Sequence, residues 1–245
     1  MWALLYKLAS PKTFYQWSRP LMYGFALLTI VFLTIGIFSG LFLAPADYQQ
    51  GDAFRIIYIH VPSAFMSLFV YAIMSFCALL IVVWKFKMAD VVIKAAAPLG
   101  ASFTLLALVT GSIWGKPMWG TWWIWDARLT SELILLFLYV GVMALQTSLK
   151  NKPRSEVIVA IMVLIGFVDI PIVHYSVSWW NTLHQGATIL KFAKPSISSN
   201  MLYPLLIMLM AFISYFVTMM LYRTRTEILW RERKSTWIKN VLGDL

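Results

Sequence analysis

The chain has 245 residues, 61% of them hydrophobic and only 12% charged, with a mean hydropathy of +0.77. A soluble domain carries roughly a quarter charged residues, so this composition excludes a soluble globular protein and points to a chain solvated by lipid. The net charge of +10 does not require nucleic acid, because basic residues accumulate on the cytoplasmic side of membrane proteins.

Residues 1–20 hold one brief apolar stretch, Ala3 to Tyr6, which ends at Lys7. That is shorter than the core of a cleavable signal peptide, so none is expected. Trp2, Leu5 and Leu8 share one face of a short helix lying on the membrane surface. Six apolar runs then follow, at 21–43, 60–84, 93–114, 129–148, 157–176 and 202–222. Each is long enough to cross a bilayer core, which takes about 20 residues. The expected fold is an all-α integral membrane protein, one six-span domain over 1–245. Cys77 lies inside the second run and reads as a small buried apolar residue. As the lone cysteine it forms no intramolecular disulfide and no Cys-x-x-Cys-His haem attachment. The chain shows no internal repeat and no nucleotide-binding glycine-rich loop.

Charge sets the expected orientation. If the N-terminus is inside, only Arg55, Lys116, Arg128, Lys191 and Lys194 of the 20 Lys and Arg residues fall outside. Both termini are therefore expected in the cytoplasm. The outer connections, near 44–59, 115–128 and 177–201, are longer and richer in aromatics than the inner ones, and binding chemistry favours loops on a rigid scaffold. The tail, 223–245, reads as a basic amphipathic inner helix, with Trp237, Ile238, Val241 and Leu242 beside Arg231, Arg233, Lys234 and Lys239. Such a helix either lies on lipid or docks a cytoplasmic partner.

The first outer loop carries Asp47, Tyr48, Gln49, Gln50, Asp52 and Arg55, a polar run that suits hydrogen bonding, a partner or plain solvation. All three histidines, His60, His174 and His184, fall at the outer ends of spans. Pro62 suits the first turn of its helix. Neutral imidazole is the commonest metal-ligating side chain, although a lone interfacial histidine is more often simply hydrogen-bonded. The second outer loop reads Trp114-Gly-Lys-Pro-Met-Trp119-Gly-Thr-Trp122-Trp123-Ile-Trp125-Asp126-Ala-Arg128. Gly115, Pro117 and Gly120 break the preceding helix. Trp119, Trp122 and Trp123 have the spacing of one helical face, so short interfacial helices are expected here. An aromatic belt also enriches tryptophan at membrane boundaries, but seven of the 12 tryptophans concentrate in this loop and at Trp179-Trp180.

A zinc site would want carboxylates or thiolates near its histidines. A porphyrin wants flat apolar walls, two axial nitrogens and cations for its propionates. Tryptophans supply the walls, a histidine pair the nitrogens, and Arg128, Arg55 and Lys116 the cations. Asp126 is placed to cap the fourth span, and Glu132 lies one turn after Arg128. Asp169, with Pro171, is an acid inside the fifth span, a functional position by default unless it makes a local polar contact near the boundary.

The run Trp119-Gly-Thr-Trp122-Trp123-Ile-Trp125-Asp126 resembles the WWD motif of the haem-handling superfamily. Arg55-Ile-Ile-Tyr-Ile-His60-Val-Pro62 and Trp179-Trp180-Asn-Thr-Leu-His184-Gln-Gly186 flank it in order. With its length and six spans, the chain is similar to the haem exporter protein C family of bacterial cytochrome c maturation. The resemblance implies haem b with His60 and His184 as axial ligands. The platform would comprise Trp114, Trp119, Trp122, Trp123, Trp125 and Asp126, with Arg128 and Arg55 for propionates; His174 is not implied as a ligand. It further implies a multi-pass protein of the bacterial inner membrane that presents haem on the periplasmic side to a haem chaperone, cytochrome c maturation protein E. Its other partners would be ABC transporter subunits A and B and the small single-span cytochrome c maturation protein D. Such a protein carries haem and is not an enzyme. Two other readings stay open: a bis-histidine electron-transfer cytochrome or quinone oxidoreductase subunit, and a transporter with an interfacial tryptophan belt.

Overall fold

The computed structural model describes residues 10–150, 152–184 and 197–243. Among these described residues eight α-helices carry the fold: α1 (Pro11–Phe38), α2 (Ile57–Trp84), α3 (Lys87–Trp119), α4 (Ala127–Ser148), α5 (Ser155–Gly166), α6 (Asp169–Trp179), α7 (Ser199–Arg231) and α8 (Thr236–Gly243). A π-helical turn, Ser39–Leu43, extends α1, and a 3-10 turn, Asp52–Ile56, leads into α2. With α5 and α6 counted as one broken span, six helical stretches are long and apolar enough to cross a membrane, and no strand occurs among the described residues. The fold is an all-helical membrane bundle, as composition requires. The surface helix expected at Trp2, Leu5 and Leu8 lies outside the described residues, as do Lys191 and Lys194.

Local chemistry sets several helix ends. Ser10 caps α1 by accepting from the Thr13 N–H, and Pro11 occupies the first turn, where its missing donor costs nothing. Asp126 caps α4, its Oδ1 accepting from Leu129 N at 2.8 Å. The fifth span breaks at Phe167–Val168, because Pro171 has no N–H to return to that turn. Pro62 is not in a first turn; α2 begins at Ile57 and carries Pro62 inside it.

Small residues bring the helices together, as lipid-solvated packing favours. Gly100 of α3 faces the Tyr139 ring of α4, Gly166 of α5 faces the Tyr71 hydroxyl, and Gly36 of α1 faces Met208 of α7. Tyr71 and Tyr139 are fully buried, their rings 5.1 Å apart and edge to face. Tyr139 donates to the Ser67 carbonyl, and the Ser67 hydroxyl donates to Glu132 Oε1, both at 2.7 Å.

Short connections reverse each span against the last. One end of the bundle therefore gathers the start of α2, the end of α3, the start of α4, the end of α6 and the start of α7. At the opposite end α7 runs on to Arg231, so the basic tail begins as a continuation of the last span. Beyond it α8 folds back: Ile238 is buried and the Trp237 ring meets Tyr15 of α1 edge to face.

Candidate functional site

At the first end a cavity of about 640 Å³ opens between α2, α3, α6 and α7, within the ~300–1,000 Å³ range of cofactor-sized sites. His60, His184, Trp114, Trp119 and Arg128 all line it, and His174 does too. Its apolar wall follows α2 from His60 to Ala72, a run of roughly 18 Å at the helical rise. Leu205, Leu206 and Leu209 of α7 face that wall.

His60 stands in the first turns of α2. Its Nδ1 lies 3.1 Å from the Ala107 carbonyl and 3.1 Å from Thr110 Oγ1. A carbonyl only accepts, so Nδ1 carries the proton and Nε2 keeps its lone pair. Room for the ring comes from Gly111, where a Cβ would stand 2.9 Å from His60 Cε1. The Trp114 ring meets the imidazole edge to face at 5.6 Å, and its own Nε1 donates to Gln50 Oε1 at 2.9 Å. Gln50 is placed by a turn in which Asp47 Oδ1 accepts from the Gln49 and Gln50 N–H groups.

His184 repeats this arrangement from a non-helical segment. Its Nδ1 lies 3.0 Å from Asp126 Oδ2, and the Trp119 ring packs edge to face at 4.7 Å. Thr182 donates to the same carboxylate and accepts from the His184 N–H. Burial pulls the Asp126 carboxyl upward, but bonds from Thr182, Leu129 N and His184 together hold it below its ordinary value. Burial lowers His184; Asp126 opposes this, Arg128 adds to it, and the net direction is down. Asp126 is thus a carboxylate, and His184 a neutral imidazole that donates from Nδ1 and leaves Nε2 free.

The remaining residues divide. Arg128 lines the cavity while its Nη1 donates to the Val173 carbonyl at 2.6 Å; Glu132 accepts from Ser67 instead of pairing with it by a hydrogen bond. Arg55 is held at the first loop by Asp52 Oδ1 and the Gly40 carbonyl, both at 2.9 Å, and is not part of the cavity wall. Neither are Trp122, Trp123 and Trp125. Trp122 and Trp125 are 56% and 75% exposed, Trp123 is half-buried against Trp125, and the Lys116 ammonium lies over the Trp122 ring.

The expected interfacial helices in this loop do not form. Helix α3 continues through Gly115 and Pro117 to Trp119. Gly120 then takes φ 75, and 120–126 carries no helix, so Trp119, Trp122 and Trp123 do not share a helical face. Ser112 fixes the loop instead by donating to the Trp122 carbonyl at 2.7 Å. Gln50, Thr110, Gly111 and Thr182 are site residues that motif reading passes over. The polar run of the first loop and the position of Thr182 two residues before His184 were the available signals.

Comparison with known proteins finds relatives over nearly the whole chain. A family model described as Heme exporter protein C matches residues 4–239. The chain is 49% identical to Heme exporter protein C of Escherichia coli (strain K12) over 245 residues, covering 99% of this chain and 98% of that one. It is 48% identical to the Haemophilus influenzae protein of the same name over 239 residues, 98% and 97% of the two chains. A "Putative cytochrome c biosynthesis ccmC-like mitochondrial protein" of Marchantia polymorpha is 44% identical over 207 residues, 83% and 88% of the two chains.

Proposed function

The chain belongs to the haem exporter protein C family, a family of haem transport in cytochrome c maturation, and from that membership we propose that it binds haem b between His60 and His184 and hands it on. One observation carries the reading. Two imidazoles from distant segments enter one cavity, and each spends Nδ1 on a fixed acceptor, which leaves Nε2 free to ligate.

Haem here is cargo. Trp114 and Trp119 wall the site and steady the two histidines. Arg128 is the cation within the cavity wall and would meet a propionate, with Arg55 and Lys116 farther out. Trp122, Trp123 and Trp125 stand beside the mouth, where they would support the porphyrin edge as it is presented. The scarcity of Lys and Arg at this end favours the periplasmic side of the bacterial inner membrane. The receiver would be the membrane-anchored haem chaperone, cytochrome c maturation protein E. ABC transporter subunits A and B and the small cytochrome c maturation protein D would be the assembly partners. The protein itself would do no covalent chemistry.

An absorption spectrum of the protein purified from cells supplied with haem tests this. A six-coordinate low-spin spectrum is expected, and His60→Ala or His184→Ala should convert or abolish it. A wild-type protein without haem defeats the reading. Haem that is retained while electrons cycle to a quinone would favour an electron-transfer subunit instead.

A further inference from the structure

The end of the bundle opposite the histidines holds a second constellation. Trp230, near the end of α7, is 43% exposed, and three cations from different segments surround its ring. Lys150, just past α4, lies 4.5 Å from the ring centroid, Arg233, just past α7, 4.8 Å, and Lys94, two turns inside α3, 5.1 Å. Bringing three like charges to one indole is unfavourable unless anions compensate. Two carboxylates are near, but both are engaged. Glu227 pairs with Lys94 and with Arg231, each at 2.7 Å, and Asp90 pairs with Arg231 at 2.6 Å. Lys150 and Arg233 make no ion pair among the described residues. Four cations therefore face two carboxylates, and the two unpaired cations flank an exposed indole.

We propose that Trp230, Lys150 and Arg233 form a binding site for the phosphodiester headgroup of an anionic membrane lipid. The site lies where α4 leaves the apolar region and where α7 runs on past it, so a headgroup is the anion available at that level. Arg233, whose Nη1 donates to the Trp230 carbonyl at 2.9 Å, offers its remaining N–H groups, and Lys150 a point charge, to the phosphate oxygens. The indole suits the boundary between glycerol and acyl chain. Lys94, already neutralised by Glu227, serves as a buttress. The site is independent of the haem cavity and joins α3, α4 and α7, so an occupant would tie three helices at the end where no haem is held.

The full-length chain, purified and exchanged into mixed phosphatidylcholine and phosphatidylglycerol nanodiscs, allows the test. Native mass spectrometry after release counts the lipids that stay bound. Wild-type protein should retain phosphatidylglycerol in preference to phosphatidylcholine. K150Q/R233Q should weaken that retention about 30-fold, at roughly fivefold per cation near an anionic surface, with phosphatidylcholine unchanged. K150R/R233K should keep it. K12Q/K239Q removes two cations elsewhere at the same end and should leave the preference intact. Equal loss in K12Q/K239Q, or no loss in K150Q/R233Q, overturns the site. Excess inorganic phosphate should not displace the lipid; displacement would overturn the lipid assignment. Should K150Q/R233Q melt early or aggregate, K150Q alone carries the test, since its side chain is exposed, and about a fivefold loss is expected.

Discussion

His184 Nδ1 sits 3.0 Å from Asp126 Oδ2, which ties the loop before α4 to the segment after α6. The same carboxylate caps α4 through its other oxygen, 2.8 Å from Leu129 N. One side chain therefore starts a helix and orients the imidazole proposed as a ligand. The two roles separate by substitution. Asparagine caps a helix as well as aspartate does but brings no charge to the imidazole. Asp126→Asn should leave thermal stability within a few tenths of a kcal/mol, yet weaken haem retention about 10- to 100-fold, the usual cost of losing a ligand's orienting partner. Asp126→Ala should show the same haem loss and also melt earlier, by about 1 kcal/mol of lost capping. Haem titration beside a melting curve checks both. Unchanged haem affinity in Asp126→Asn would leave Asp126 as a helix cap alone.

The other proposed ligand, His60, depends on a missing side chain. A Cβ on Gly111 would stand 2.9 Å from His60 Cε1, so Gly111→Ala must push the imidazole away from Ala107 and Thr110. Alanine is otherwise favoured in a helix by about 1 kcal/mol over glycine. The expected result is a protein of similar or slightly higher stability whose haem spectrum has lost its six-coordinate character. Gly24→Ala, where nothing lies within 4 Å of the added carbon, should leave the spectrum intact. A normal spectrum from Gly111→Ala would show that His60 need not hold its present position.

Much of this was legible in the sequence, and the reasons are physical. Apolar runs announce their own length, so six spans could be read directly. Three histidines at alternate span ends must meet once consecutive spans reverse, and His60 and His184 do line one cavity. Periodicity misled only where the chain leaves the helix. The i, i+3, i+4 spacing of Trp119, Trp122 and Trp123 has meaning inside an α-helix, and Gly120 at φ 75 ends that geometry after the first of them. The Asp126–His184 pair joins residues 58 apart, a register that no local pattern encodes. The leucines of α7 that wall the cavity look like any lipid-facing leucine until the fold turns them inward.

That division among the tryptophans predicts two phenotypes. Trp119 packs on His184 and lines the cavity. Trp119→Ala removes an aromatic contact worth ~0.5–1.5 kcal/mol beyond its buried area, and haem retention should fall about tenfold or more. Trp122 and Trp125 are exposed and are not part of the cavity wall. Their double alanine variant should keep most of its haem but deliver it to the chaperone more slowly. Haem content on purification and the rate of chaperone loading separate the two. Equal haem loss in both variants would place Trp122 and Trp125 against the porphyrin itself.

The two proposed ligands are held differently, and on that proposal the difference bears on release. His60 belongs to α2 and is fixed by acceptors on α3, whereas His184 stands in an irregular segment and is aimed by a loop carboxylate. A cargo held from both sides of its ring leaves only when one ligand yields, and the ligand on the less rigid element is the cheaper one to move. His184→Ala should therefore retain five-coordinate haem on His60, while His60→Ala should retain markedly less. Adding imidazole to His184→Ala should restore a six-coordinate spectrum. If His60→Ala instead held haem as well as His184→Ala, the helix would lend no advantage, and release could start from either side.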